Sequence, residues 1–162
     1  MKRKFLLAFL SISLTFFLPS IKTASARDQT PDMNIGRELI NPGSALYPIK
    51  RFSEKGLLLV FSKVDPSKEN PFIIKLLGRR FREFYYVFET NDLENFEKVA
   101  IRYNTTIGLI IDKNINLGTE NTGKYDVYLQ ILSRIKDTYE YGSSYWLLTQ
   151  QAIELTQQML SK

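Results

Sequence analysis

The stretch IIKLLGRRFREFYYVFETNDLENFEKVAIRYNTTIGLI, residues 73–110, decides the fold. Ile74, Leu77, Phe81, Phe84 and Phe88 recur at spacings of 3, 4, 3 and 4, which lines one face of an α-helix. Leu93, Phe96, Ala100, Tyr103, Ile107 and Ile110 repeat at 3, 4, 3, 4 and 3. Only Thr90, Asn91 and Asp92 stand between the two seams. A connection that short makes the helices antiparallel neighbours. Asn91 is placed to cap the second helix, with Glu94 three residues on as in a capping box.

Upstream, Asp65-Pro66 and Asn70-Pro71 each read as a cap followed by a first helical position. A short turn between them is predicted, with the helix under way at Pro71. Before it, Ser44 follows the Pro42-Gly43 turn and is placed to cap a helix, with Pro48 in the first turn, where a missing N–H costs little. Leu46, Ile49, Phe52, Leu57, Val60 and Val64 are the predicted core face of that helix. Lys50 and Glu54 form an i,i+4 pair, worth ~0.3 kcal/mol when exposed. The run Leu57-Leu58-Leu59-Val60-Phe61 also fits a buried strand; helix to about residue 62 is preferred.

Downstream, residues 112–123 read as a polar loop. From about Thr122 the seam returns at Tyr125, Tyr128, Leu132, Ile135 and Tyr139, then at Trp146, Leu147, Ile153 and Leu160. Unbroken, this would be a helix of about 40 residues and ~60 Å. Gly142-Ser143-Ser144 predicts a kink or break in it, since Gly costs ~1 kcal/mol inside a helix. The fold class is all-α: an antiparallel helical hairpin extended into a bundle of four to five helices over residues 44–162.

The chain begins with a cationic group, Lys2, Arg3 and Lys4, then an apolar run from Phe5 to Leu18, then Ala24-Ser25-Ala26. This is the three-part pattern of a secretory signal peptide over residues 1–26. The run is shorter than the ~20 residues that span a bilayer. The expectation is export to an extracytoplasmic space, or N-terminal membrane anchoring if the segment is retained. Residues 27–43, with Pro31, Gly36 and Pro42-Gly43, read as a flexible arm that Ile35, Leu39 and Ile40 could dock.

Cleavage changes the charge argument. The segment removes Lys2, Arg3, Lys4 and Lys22 and no acid, so the formal net charge falls from +5 to +1. The basic pI belongs to the leader, and a nucleic-acid partner is not implied. Lys50-Arg51 and Arg79-Arg80-x-Arg82 sit among acids and aromatics and read as solvated helix faces. The chain has no Cys and no His. It therefore gains nothing from an oxidising compartment and lacks the commonest general base and transition-metal ligand.

Few stretches suggest chemistry. DKNINLGTENTG, residues 112–123, places Asp112, Asn114 and Asn116 at the first, third and fifth positions of a calcium loop. The sharp-turn position holds Leu117 and the closing position Gly123, where Gly and a bidentate Glu belong. A polar interhelical loop is the better reading. Asn104-Thr105-Thr106 has the form of a glycosylation sequon, but it falls inside a predicted helix. Glu83, Glu89, Asp92, Glu94 and Glu97 gather around the hairpin turn, where acids stabilise a helix N-terminus. No catalytic residue, cofactor site or metal site is assigned. Aromatic side chains cluster on the second and last helices, and Tyr85, Tyr86, Tyr141, Tyr145 and Trp146 are the candidate interaction surface. Tyr85 and Tyr86 are adjacent, so one of them is expected to be exposed.

Pro42-Gly43-Ser44-x-Leu46-Tyr47-Pro48-x-Lys50-Arg51, then Glu54, then Asp65-Pro66, resembles the signature of a family of small bacterial extracytoplasmic helical domains of unknown function. Its members carry PGS-x-LYPLKR-x-x-E after a signal peptide, a D-P turn, and then an R-L-x-E pattern that appears here as Arg80-Phe81-Arg82-Glu83. The resemblance covers roughly residues 41–90 and implies location and helical build, not an activity. The physical reading of the stretch is a helix start anchored by Tyr47. Together these observations imply a non-enzymatic envelope module whose partner is another envelope protein or a second copy. Self-association through a long last helix and carriage of an apolar small molecule between helices are the alternatives. Membrane contact is expected only through the signal segment, if that segment is retained.

Overall fold

The structure, a computed structural model, describes residues 35–162, and only the backbone of 119–122. The expected signal peptide over 1–26 and the first part of the expected arm lie outside the described residues. Five α-helices follow: α1 (Tyr47–Val64), α2 (Glu69–Glu89), α3 (Leu93–Asp112), α4 (Thr119–Asp137) and α5 (Ser144–Leu160), with a 3₁₀ turn at Pro66–Lys68 between α1 and α2. No strand occurs among the described residues. The expected all-α bundle is the fold.

α2 and α3 form the antiparallel hairpin, joined by the expected three residues. The cap differs. Asp92, not Asn91, accepts from the Asn95 N–H at 3.2 Å. Asn91 takes the left-handed conformation, φ 52°, which lets the chain reverse before the helix begins. Glu94 therefore closes no capping box with Asn91. Most of both seams buries as the spacing requires: Leu77, Phe81, Phe84, Phe96, Ala100, Tyr103 and Ile107 are fully buried, while Leu93, at the start of α3, is exposed. On α2 the buried stripe also takes in Ile73, Leu76 and Val87, while Ile74 and Phe88 of the seam are half-buried.

The long last helix is two helices. α4 ends at Asp137, Gly142 adopts φ 78°, and the Ser143 hydroxyl accepts from the Trp146 N–H at 3.2 Å. α4 is closed by Thr138; the left-handed Gly142 turns the connection, and the Ser143 N-cap starts the next helix. α5 then returns to pack on both α4 and α3. α4 closes the bundle against α2, where Phe81 and Tyr128 stack with ring centroids 3.5 Å apart. The bundle core is α2 to α5.

α1 is the outlier. It is a helix throughout, so Leu57 to Phe61 is not a strand, and it packs on α2 and the 3₁₀ turn. Its predicted core face is on the outside. Leu46, Ile49, Phe52, Leu57, Val60 and Val64 are all exposed, Phe52 at 80% and Ile49 at 65%. The buried residues of α1 are Tyr47 and Glu54. Ser44 is not the cap either: Leu46 holds that position without a side-chain bond, and the Ser44 hydroxyl accepts from the Leu46 N–H at 3.3 Å within the preceding turn.

Candidate functional site

Part of the signature, Tyr47, Lys50, Arg51 and Glu54, meets Arg80 and Glu83 in a buried ion network between α1 and α2. At 100° per residue, Tyr47, Lys50, Arg51 and Glu54 share one side of α1, and that side faces α2. Arg80 and Glu83, one turn apart on α2, receive it. Both guanidinium N–H donors of the pair come from Arg80 Nη1, to Glu83 Oε1 at 2.9 Å and Oε2 at 2.8 Å. Arg80 also donates through Nη2 to Glu54 Oε2. Tyr47 donates its hydroxyl proton to Glu83 Oε2 at 2.7 Å and accepts from Arg102 of α3 at 2.9 Å. Lys50 Nζ lies 2.9 Å from Glu83 Oε1 and 3.1 Å from Glu38 Oε2. Arg51 and Arg79 reach Glu54 at 3.2 and 3.4 Å. Arg82 donates to Glu38 Oε1 at 2.7 Å.

Three carboxylates, Glu38, Glu54 and Glu83, are thus held by Lys50, Arg51, Arg79, Arg80 and Arg82, and each carboxylate oxygen has a cationic partner. Arg80 is 1% exposed, Glu54 2% and Glu83 0%. Two expectations are corrected here. Lys50-Arg51 and Arg79-Arg80-x-Arg82 are not solvated faces: their cations are drawn inward by carboxylates that burial would otherwise strand. Lys50 and Glu54 do not pair with each other; each takes partners on other segments.

The network also ties the described part of the arm. Residues 35–43 lack regular structure, but Glu38 bridges Arg82 and Lys50, and Lys50 donates to the Ile40 carbonyl at 3.0 Å. Ile35 packs on the bundle core, and Leu39 stays exposed.

Charge states follow from the packing. Burial, with the Glu83 carboxylate alongside, pushes the Glu54 carboxyl up to about 7 against the pull of Lys50 and Arg79. Burial and the Glu83 charge likewise push the Tyr47 phenol well above its ordinary range. Burial works against ionisation of Glu38, but the hydrogen bonds from Arg82 and Lys50 outweigh it and hold the carboxyl below its usual value.

A surface cleft of about 480 Å³ lies beside the Pro42-Gly43-Ser44 turn, lined also by Leu39, Asn41, Tyr86, Thr90 and Asp92. None of the network carboxylates lines it. Asp92 does, but its two oxygens accept from the N–H and the Nδ2 of Asn95. Glu94 and Glu97 are exposed and Glu89 half-buried. The acids around the hairpin turn are therefore not brought together as a reacting pair.

The structure separates the signature into two parts. Tyr47, Lys50, Arg51 and Glu54 join Arg80 and Glu83. Pro42, Gly43 and Ser44 form the turn at the cleft, Leu46 caps α1, and Pro48 is exposed in its first turn. Asp65 and Pro66 start the 3₁₀ turn, where Asp65 pairs with Lys68 at 2.8 Å. Sequence reasoning missed Glu38, Arg102 and the inward sense of α1. The available signal was the polar period Tyr47, Lys50, Arg51 and Glu54, which matches a helix face as well as the apolar one does.

The aromatic candidates are dispersed. Tyr85 and Tyr86 are both half-buried, so neither is the exposed member expected of the pair. Tyr145 packs with ring centroids 5.3 Å from Phe96 and 5.2 Å from Tyr139. Tyr141 is exposed and stands edge-on to Trp146 at 4.7 Å. Asn104, the sequon residue, is buried in α3 and donates to Gln151. Asn116 accepts from the Gly118 N–H, and α4 begins at Thr119, inside the calcium-like stretch. No group of His, Cys, Asp or Glu that could hold a metal occurs among the described residues, and no described helix is long and apolar enough to cross a membrane.

No family model, no curated protein and no solved structure matches the chain.

Proposed function

We propose that the protein is an exported, non-enzymatic interaction module of the cell envelope, of the kind its LYP-x-KR signature resembles, and that α1 is the element it presents. The observation that carries the reading is the reversal of α1. Its charged side is turned into the protein and its apolar side out, with Ile49, Phe52, Leu59 and Val64 exposed at 62–80%. Contiguous apolar surface on a helix marks a contact site when nothing in its own chain covers it. The network supports this role, because with Leu58 and Phe61 packed inward it fixes α1 and leaves Ile49, Phe52, Leu59 and Val64 free for another component.

The buried carboxylates support a structural role rather than a reacting one. Each is saturated by cations, and the acid at the cleft is occupied in capping α3. The aromatic side chains of the second and last helices are mostly spent on packing, which moves the contact surface to α1. Self-association through a long last helix loses its element, since α4 and α5 fold back on each other.

A photo-activated cross-linking residue at position 49, in cells that export the chain, tests the reading. An adduct at 49, to protein or lipid, that is absent from position 97 on the exposed side of α3 is the expected result. Equal or no labelling at both positions overturns it.

A further inference from the structure

We propose that the outer face of α1 rests on an anionic lipid surface, an inference that builds on the interaction reading above and names its partner. Ile49, Phe52, Gly56, Leu59 and Val60 lie on the side of α1 opposite Tyr47 and Glu54, and all five are exposed. An amphipathic helix that lies in a membrane interface buries such a face among headgroups and upper acyl chains and gains from flanking cations.

Charge selects the occupant. α1 carries Lys50, Arg51, Lys55 and Lys63 and the single acid Glu54. The network consumes Lys50, Arg51 and Glu54. Lys55 and Lys63 remain exposed, with no ion pair among the described residues. The outward side of α1 is therefore apolar and purely cationic. A second copy would set Lys55 and Lys63 against themselves. The chain's own leader would bring Lys2, Arg3, Lys4 and Lys22, again without an acid. An anionic bilayer complements this face, because clustered Lys near such a surface is attracted by its negative potential.

Shape agrees with charge. α1 sits at the edge of the bundle, packed on α2 and the turn that follows it. Its outer side is a single convex ridge about 27 Å long, which suits a plane. The membrane contact expected of the leader thus has a second candidate within the folded domain.

The chain has no Cys, so one introduced thiol can carry one nitroxide. A side chain at position 56 would meet nothing within 4 Å, so Gly56→Cys leaves every apolar residue of α1 in place. Glu97→Cys, on exposed α3 surface, is the control. The full-length chain carries the label, and its collisions with oxygen and a nickel chelate are measured on phosphatidylglycerol and on phosphatidylcholine vesicles. The expected result is that position 56 loses most of its nickel accessibility and gains oxygen accessibility on phosphatidylglycerol only. The change should reverse as salt is raised, and position 97 should stay water-exposed. Continued nickel access at 56 on phosphatidylglycerol overturns the inference, even if the leader holds the chain on the vesicle. So does equal protection at 97. Spin–spin broadening at 56 without vesicles would assign the face to a second copy; it overturns the lipid partner and leaves the interaction reading standing. That reading fails separately, through absent cross-links at position 49.

Discussion

α2 meets α3 and α1 by opposite chemistry. Toward α3 it presents Leu77, Phe81, Phe84 and Val87, all fully buried. Toward α1 it presents Arg80 and Glu83, equally buried, with one ring contact of Phe72 to Phe61 at 5.3 Å beside them. The first contact is held by area removed from water, at about 25 cal/mol per Å². The second is held by matching of charge and hydrogen-bond geometry, whose net stabilisation is small because both ions lose water. An apolar contact tolerates small shifts; a network with a partner on each carboxylate oxygen specifies one placement. The comparison suggests that the hairpin supplies stability and the network supplies orientation, holding α1 with its apolar side outward.

The largest effect is expected in the apolar contact. Phe84→Ala removes a fully buried ring that meets Phe96 edge-on at 5.1 Å and Tyr103 at 5.9 Å. The loss should be about 4 kcal/mol, read as a lower urea midpoint with an unchanged slope. Next comes Glu83→Ala, which leaves buried Arg80 with Glu54 alone and takes one partner each from Tyr47 and Lys50. Its cost should be about 3 kcal/mol. Hydrogen exchange distinguishes the two variants. Glu83→Ala should raise exchange in α1 while α3 keeps its protection, whereas Phe84→Ala should weaken α2 and α3 together. If both variants weaken α1 and α3 equally, the division into stabilising hairpin and orienting network is wrong.

The two contacts also differ in how far the sequence discloses them. The hairpin could be read because its seam is periodic, its connection is three residues, and both helices obey the rule that apolar residues go inside. The break at Gly142-Ser143 could be read because a Gly and a hydroxyl cap are local signals. α1 defeated the same rule. Its apolar and polar residues both recur at helical spacing, and periodicity alone does not say which side faces the protein. The answer lies in Arg80 and Glu83, which stand 26 and 29 residues beyond Glu54 in the chain. Their burial obliges α1 to turn its own charges inward. Glu38 and Arg102 joined the network without any local pattern to announce them.

A third test uses pH. The folded carboxyl of Glu54 is raised from the ordinary 4.5 to about 7, so the folded chain holds this proton more tightly than the unfolded chain does. The stability it contributes is fully present below about pH 4.5 and is lost as pH rises through about 7. Glu38, held below its usual value by Arg82 and Lys50, acts in the other sense, losing its contribution as pH falls. Between pH 4.5 and 7 the Glu54 slope should dominate, with stability declining by on the order of 2 kcal/mol. Glu54→Gln should flatten that decline. A slope unchanged by Glu54→Gln would place the titration elsewhere.

The smallest expected effect lies in the apolar half. The Tyr125 hydroxyl is buried without a hydrogen-bond partner, whereas the carboxylate oxygens of the ion network all have one. Tyr103, also fully buried, shares a hydrogen bond of 3.0 Å with the Thr156 hydroxyl. Burying an unpaired hydroxyl costs free energy, and removing it relieves that cost. Tyr125→Phe should therefore be neutral or stabilising by up to about 1 kcal/mol, while Tyr103→Phe should cost about 1 kcal/mol. Thermal midpoints of the two variants, measured side by side, give the sign directly. The apolar core holds together by volume, so it can carry one unsatisfied hydroxyl; the network holds together by pairing and cannot. A Tyr125→Phe loss as large as that of Tyr103→Phe would mean that the hydroxyl is paired in solution and that the two halves obey the same rule.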